Sequence, residues 1–172
     1  MRIAAFAIIF IIAIAGAPAA AVAQASRTLQ VSGAVEKPLT LTVEDLKARP
    51  PKSISDIRMI EEGGRREQRK QTYTGVLLRD LIDQTRAVER RRRDLRTSVV
   101  VATATDGYRA VFSWAELYLS ATGDGALVYY ELDGKPLDDR EGLIALISMK
   151  DTRTGARHVR WLQKIEIVPV GP

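Results

Sequence analysis

Gly155-Ala156-Arg157-His158-Val159-Arg160-Trp161-Leu162-Gln163-Lys164-Ile165-Glu166-Ile167 carries more of the fold than any other stretch of this chain. Its apolar positions Val159, Leu162, Ile165 and Ile167 read as one long closing strand running from Val159 to Val168. At its head two guanidiniums stand three residues apart beside a glycine. Arg157 and Arg160 so placed can offer bidentate hydrogen bonds to an anion, with Gly155 giving the backbone freedom. The alternative is that both are solvated residues on the rim of an outer strand. His158, if the strand alternates, faces away from both arginines and reads as a structural or surface histidine rather than an acid–base catalyst.

Working towards the N-terminus, Leu143 to Ser148 is an apolar strand, and Ala126 to Leu132 is another, ended by the tight turn Asp133-Gly134. Ser98 to Ala104 is valine-rich and of buried type; Asp106-Gly107 turns the chain and Tyr108 to Phe112 returns as its partner. Ser113-Trp114-Ala115-Glu116 and Thr42-Val43-Glu44-Asp45 are capping boxes, each opening a short helix. Thr74 to Thr85 carries Val76, Leu77, Leu81 and Ile82 at helical spacing. Ser53 to Ile60 reads as a strand, and the charged Glu61 to Gln71 stretch with Gly63-Gly64 as a solvated loop. Thr28 to Val35 and Leu39 to Thr42 are the remaining extended segments. Arg90 to Arg93 is a run of four arginines that reads as a solvated loop or helix end. The expected class is α+β, with more strand than helix and built mostly from hairpins.

Residues 1–25 have the pattern of a signal peptide. Arg2 is followed by the apolar run Ile3 to Ala15, and Ala23-Gln24-Ala25 places small residues where a signal peptidase cuts. The run is shorter than the roughly 20 residues of a bilayer-spanning helix, so cleavage rather than an anchor is expected, with no stable membrane insertion afterwards. One domain, 26–172, then remains, in the periplasm or secreted. Of 26 Lys+Arg only Arg2 is lost, leaving 25 against 21 Asp+Glu and a net charge of +4. Export removes nucleic acid as a partner, while a small anionic ligand or an anionic membrane surface suits the charge. Cysteine is absent, which excludes disulfides, thiolate metal ligands and a cysteine nucleophile. With His158 as the one histidine, an ordinary zinc site is excluded too.

Seven segments in order resemble the oxidoreductase molybdopterin-binding domain, the sulfite-oxidase-like fold. They are Leu29 to Val35 with Lys37-Pro38-Leu39; Thr42 to Leu46; Tyr73-Thr74-Gly75-Val76-Leu77-Leu78-Arg79-Asp80-Leu81; Asp106-Gly107-Tyr108; Asp133-Gly134-Lys135-Pro136-Leu137; Gly155 to Leu162; and Ile165 to Ile167. The resemblance implies molybdopterin as cofactor. It implies that Gly155, Arg157 and Arg160 meet the pterin phosphate. Independently of the resemblance, Tyr108 can stack on or hydrogen-bond a ligand. The bland readings are a hairpin-turn role for Asp106 and Tyr108 and core-anchor roles for Trp114 and Trp161.

Two departures stand against the family's usual chemistry. In the family a cysteine thiolate ligates molybdenum at the end of the strand corresponding to Ser53 to Glu61, since soft sulfur ligation suits a metal that cycles between oxidation states. This chain has Arg58, Met59, Ile60, Glu61 and Glu62 there. Met59 reads as core, and Glu61, though an oxygen donor, as a solvated residue. A family arginine near the cofactor is also replaced by Ala145 or Leu146. The expected function is therefore an exported, non-catalytic or divergent binding or accessory module for a pterin cofactor or another small anion. The alternatives are a molybdenum-dependent oxidoreductase with Glu61 as a non-cysteine ligand, and a ligand-free interaction domain docking a periplasmic protein partner.

Overall fold

The computed structural model describes residues 26–62, 64–89 and 94–170, with Arg58, Ile60, Glu61, Glu62 and Asp94 described by backbone alone. The expected signal segment and the Arg90 to Arg93 run lie outside these residues. Two sheets face each other. The first runs β2 (Leu39–Leu41), β1 (Leu29–Gly33), β11 (Leu162–Pro169), β5 (Ser98–Ala104), β6 (Arg109–Ser113). The second runs β10 (His158–Val159), β9 (Ala145–Ser148), β7 (Ala126–Leu132), β4 (Arg65–Leu77), β3 (Lys52–Glu62), with β8 (Lys135–Pro136) beside β7. β1 and β11 pair in parallel, and the other neighbours are antiparallel.

The main core lies between the sheets because strand alternation turns one face of each inward. Leu29 and Val31 of β1, Val100 and Ala102 of β5, Phe112 of β6, Val128 of β7 and Leu146 of β9 join one buried cluster. Three short helices close it: α1 (Val43–Lys47) with Leu46, α2 (Leu78–Thr85) with Leu78, Leu81 and Ile82, and α3 (Trp114–Leu119) with Leu117. β7 is buried on both faces, so Leu127 and Tyr129 enter a second cluster with Tyr73, Leu77, Leu137, Ala145 and Ile147. Each fully buried large side chain stabilises the fold by about 1.5–3 kcal/mol relative to its exposed state. Both capping boxes form: Thr42 Oγ1 accepts from Asp45 N–H at 3.2 Å, and Ser113 Oγ from Glu116 N–H at 3.1 Å.

Four expectations are corrected. The Glu61 to Gln71 stretch is not a loop: β3 and β4 pair from Lys52↔Gly75 to Glu62↔Arg65, turning at Gly64 with φ +76°. The backbone register sets Glu61 across from Arg66 and Glu62 across from Arg65 in a ribbon that no apolar alternation marks. Met59 is 62% exposed on that ribbon and is not core. The helix expected from Thr74 begins at Leu78, because Val76 and Leu77 finish β4 against Val128 and Leu127. The closing strand is broken in two. β10 ends at Val159 in the second sheet and β11 starts at Leu162 in the first, with Trp161 at φ +47° in the crossing.

Candidate functional site

At that crossing the surface opens into a cleft of about 360 Å³ lined by Asp106, Tyr108, Gly155, His158, Arg160 and Trp161. The β5–β6 hairpin supplies Asp106 and Tyr108. Asp106 Oδ1 accepts from the Tyr108 N–H at 2.8 Å, fixing the turn, and the Tyr108 hydroxyl donates to the Ala156 carbonyl at 2.8 Å. That bond ties the hairpin tip to the 3₁₀ turn Thr154–Arg157, which carries Gly155. Gly155 is not among the glycines with positive φ, so backbone freedom is not its contribution; a Cβ there would meet nothing within 4 Å, and its place is open to the cleft.

The two arginines part company. Arg157 turns into the protein: its Nε donates to Asp151 Oδ2 at 2.7 Å and its Nη2 to Asp151 Oδ1 at 2.5 Å. Its Nη1 meets Glu116 Oε1 at 3.0 Å, and its guanidinium lies 4.6 Å from the centre of the Phe112 ring. The bonds to Asp151 hold the guanidinium firmly charged, and its three nitrogens all serve the protein. Arg160 alone of the pair lines the cleft, half exposed, with Nε 3.2 Å from Glu141 Oε1.

Beneath the cleft lies a polar network that sequence reading missed. Glu141 Oε2 accepts from the Tyr129 hydroxyl at 2.6 Å and lies 2.9 Å from His158 Nε2; Tyr129 Oη and His158 Nε2 are themselves 2.8 Å apart. His158 therefore does not face away from both arginines: it shares one carboxylate with Arg160. Burial alone pushes the Glu141 carboxyl up, but the bonds from His158 and Tyr129 and the charges of His158 and Arg160 outweigh it, and its pKa is lowered. Tyr129 is pushed well above its ordinary value by burial and by the Glu141 charge, so it stays a hydrogen-bond donor. Glu141 gave no local signal, because its partners are 12 and 17 residues away in sequence.

Trp161 is likewise more than a core anchor. Its Nε1–H donates to the Asp139 carbonyl at 2.9 Å, and its flank closes on Gly142, where a Cβ would come within 2.7 Å of the indole Cδ1. Glu61, the oxygen-ligand candidate, belongs to β3, and three strands separate β3 from β10. At a strand spacing near 4.8 Å that is roughly 19 Å across the sheet. Its side chain lies outside the described ones. Ala145 and Leu146 are both fully buried in β9. Among the described residues no group of three or more His, Cys, Asp or Glu is placed to hold a metal ion.

The donor set thus separates two halves of one expected cofactor. A phosphate or similar anion fits the cleft, where Arg160, open backbone and two aromatic rings converge. A metal held by a protein thiolate does not fit, since the chain contains no cysteine.

Comparison with known proteins gives two matches of different kind. Residues 16–170 match the family described as oxidoreductase molybdopterin binding domain. Among solved structures the fold is similar to the sulfane dehydrogenase SoxCD from Paracoccus pantotrophus, with a TM-score of 0.65 at 17% identity, over 86% of this chain and 40% of that one. The chain thus spans well under half of that neighbour's length. No curated protein matches.

Proposed function

Since this chain belongs to the oxidoreductase molybdopterin binding domain family, we propose that it is an exported binding or accessory module that holds a pterin cofactor or another small anion in the Arg160 cleft, without the family's metal–thiolate chemistry. The observation that carries this reading is the pairing of an aromatic-walled cleft that Arg160 lines, opposite no thiolate, with the absence of any cysteine. Molybdopterin, when bound by a protein, supplies a dithiolene for metal and a phosphate for anchoring. In this chain Arg160 would meet the phosphate through its terminal nitrogens, and Tyr108 and Trp161 would flank the ring system. Glu141, itself held by His158 and Tyr129, would orient Arg160 from below. Export to the periplasm or outside the cell, through removal of residues 1–25, is part of the same proposal and rests on the Arg2, apolar run and Ala23-Gln24-Ala25 pattern.

The test is the pterin and molybdenum content of the protein recovered from a host that makes molybdenum cofactor. Pterin near one equivalent without metal, lost in Arg160→Ala, is the expected result. Stoichiometric molybdenum would replace this reading with a metal-dependent oxidoreductase using an oxygen ligand. A folded protein with neither pterin nor measurable phosphate binding would sink it in favour of a protein-interaction domain.

A further inference from the structure

β3 is the outer strand of the second sheet, bonded to β4 on one side and to no described strand on the other. Its outward-turned N–H and C=O groups are a template for another strand. Ile57 and Met59, two residues apart and so on one face, are 65% and 62% exposed there. In the single chain the Asp56 carboxylate accepts from the Ile57 N–H at 2.8 Å.

The sequence of β3 is complementary to itself. Laid antiparallel about a two-fold axis at Ile57, it sets Ile57 against Ile57, Asp56 against Arg58, Ile54 against Ile60 and Lys52 against Glu62. Each charged pair unites opposite signs and occurs twice. Moving the axis to Arg58 sets Arg58 against Arg58, and moving it to Asp56 sets Asp56 against Asp56, so like charges penalise the neighbouring registers. The correct register also brings the exposed Ile57 and Met59 of both copies together on one face. We propose that the occupant of this edge is a second copy of the chain, joined β3 to β3 in an isologous dimer with a sheet continuous across both protomers. The dimer holds whether or not the Arg160 cleft binds pterin.

Charge reversal tests it with folding controlled by circular dichroism. Asp56→Arg sets two Arg–Arg pairs across the axis and Arg58→Asp sets two Asp–Asp pairs, so each variant alone sediments as a monomer while wild type sediments at twice the single-chain mass. Mixing the two variants restores both opposite-sign pairs, and the mixture returns to twice the mass. Carrying both substitutions in one chain restores the homodimer as well. A wild type that stays monomeric throughout the micromolar range would overturn the proposal. So would a dimer untouched by either reversal, or two monomeric variants that fail to re-form a dimer on mixing.

Discussion

Arg160 Nε and Glu141 Oε1 meet at 3.2 Å, and through that contact the rim of the cleft is tied to Tyr129 and His158 beneath it. Arg157, three residues earlier, is tied instead to Asp151 and Glu116. Two arginines that look equivalent in sequence therefore make opposite predictions.

Arg157→Ala should destabilise the fold by about 2–3 kcal/mol, because it strands a carboxylate at Asp151 that is largely buried. Thermal unfolding should fall by several degrees, with ligand binding changed only as far as folding is. Arg160→Ala should cost under about 1 kcal/mol, since its side chain is half exposed, yet abolish phosphate or pterin binding. Calorimetric unfolding alongside a binding titration separates the two. Equal effects of both variants on binding would contradict the assignment.

Acid should weaken the protein through Glu141. Its folded-state pKa is lowered, so the stability it contributes is fully present above the ordinary carboxylate range and is lost as pH falls through the lower folded value. Urea unfolding of wild type between about pH 6 and pH 3 should show stability falling. Glu141→Gln should be less stable at pH 6 and show a shallower fall. Parallel curves for the two proteins would remove Glu141 from the account.

Tyr129→Phe deletes the hydroxyl that donates to Glu141 and leaves a buried acceptor with one bond fewer. The expected cost is about 1–2 kcal/mol. Because the two side chains touch, its effect in a Glu141→Gln background should be smaller than in wild type. Strict additivity in denaturant melts would show that the network does not act as a unit.

Gly142 has φ +82°, and the position its Cβ would take lies 2.7 Å from Trp161 Cδ1 and 2.9 Å from Trp161 Cα. Gly142→Ala therefore combines backbone strain with displacement of the indole, for a cost of about 2–3 kcal/mol. In a Trp114→Phe background, tryptophan fluorescence reports Trp161 alone and should shift towards a more solvated spectrum, with weaker ligand binding.

Much of this fold is legible locally. β5 and β7 have the bounds their apolar runs give, Ser98–Ala104 and Ala126–Leu132, since a strand buried on one or both faces writes its limits in hydrophobicity. The caps at Thr42 and Ser113 involve residues three apart and read directly. The β3–β4 ribbon did not, because from Arg65 to Lys70 β4 is exposed throughout and no apolar period exists to be seen, so Gly63-Gly64 read as part of a solvated loop. Of the expected site residues, Tyr108, Gly155 and Arg160 share the cleft and Arg157 does not. The break at Trp161 explains the difference. A positive φ in a tryptophan is a tertiary demand, made by Gly142 and by the change of sheet, and no window of neighbouring residues announces it.

The parallel pairing of β1 with β11 sets Gln30 beside Lys164, across 134 residues of chain. In the first sheet β11 is also the link between β1–β2 and β5–β6. Until β11 has left the ribosome, the two halves of that sheet have no backbone connection, and at some 5–20 residues per second synthesis is far slower than the folding of a small domain. β11, made after every other described strand of that sheet, is thus the one that joins its two halves.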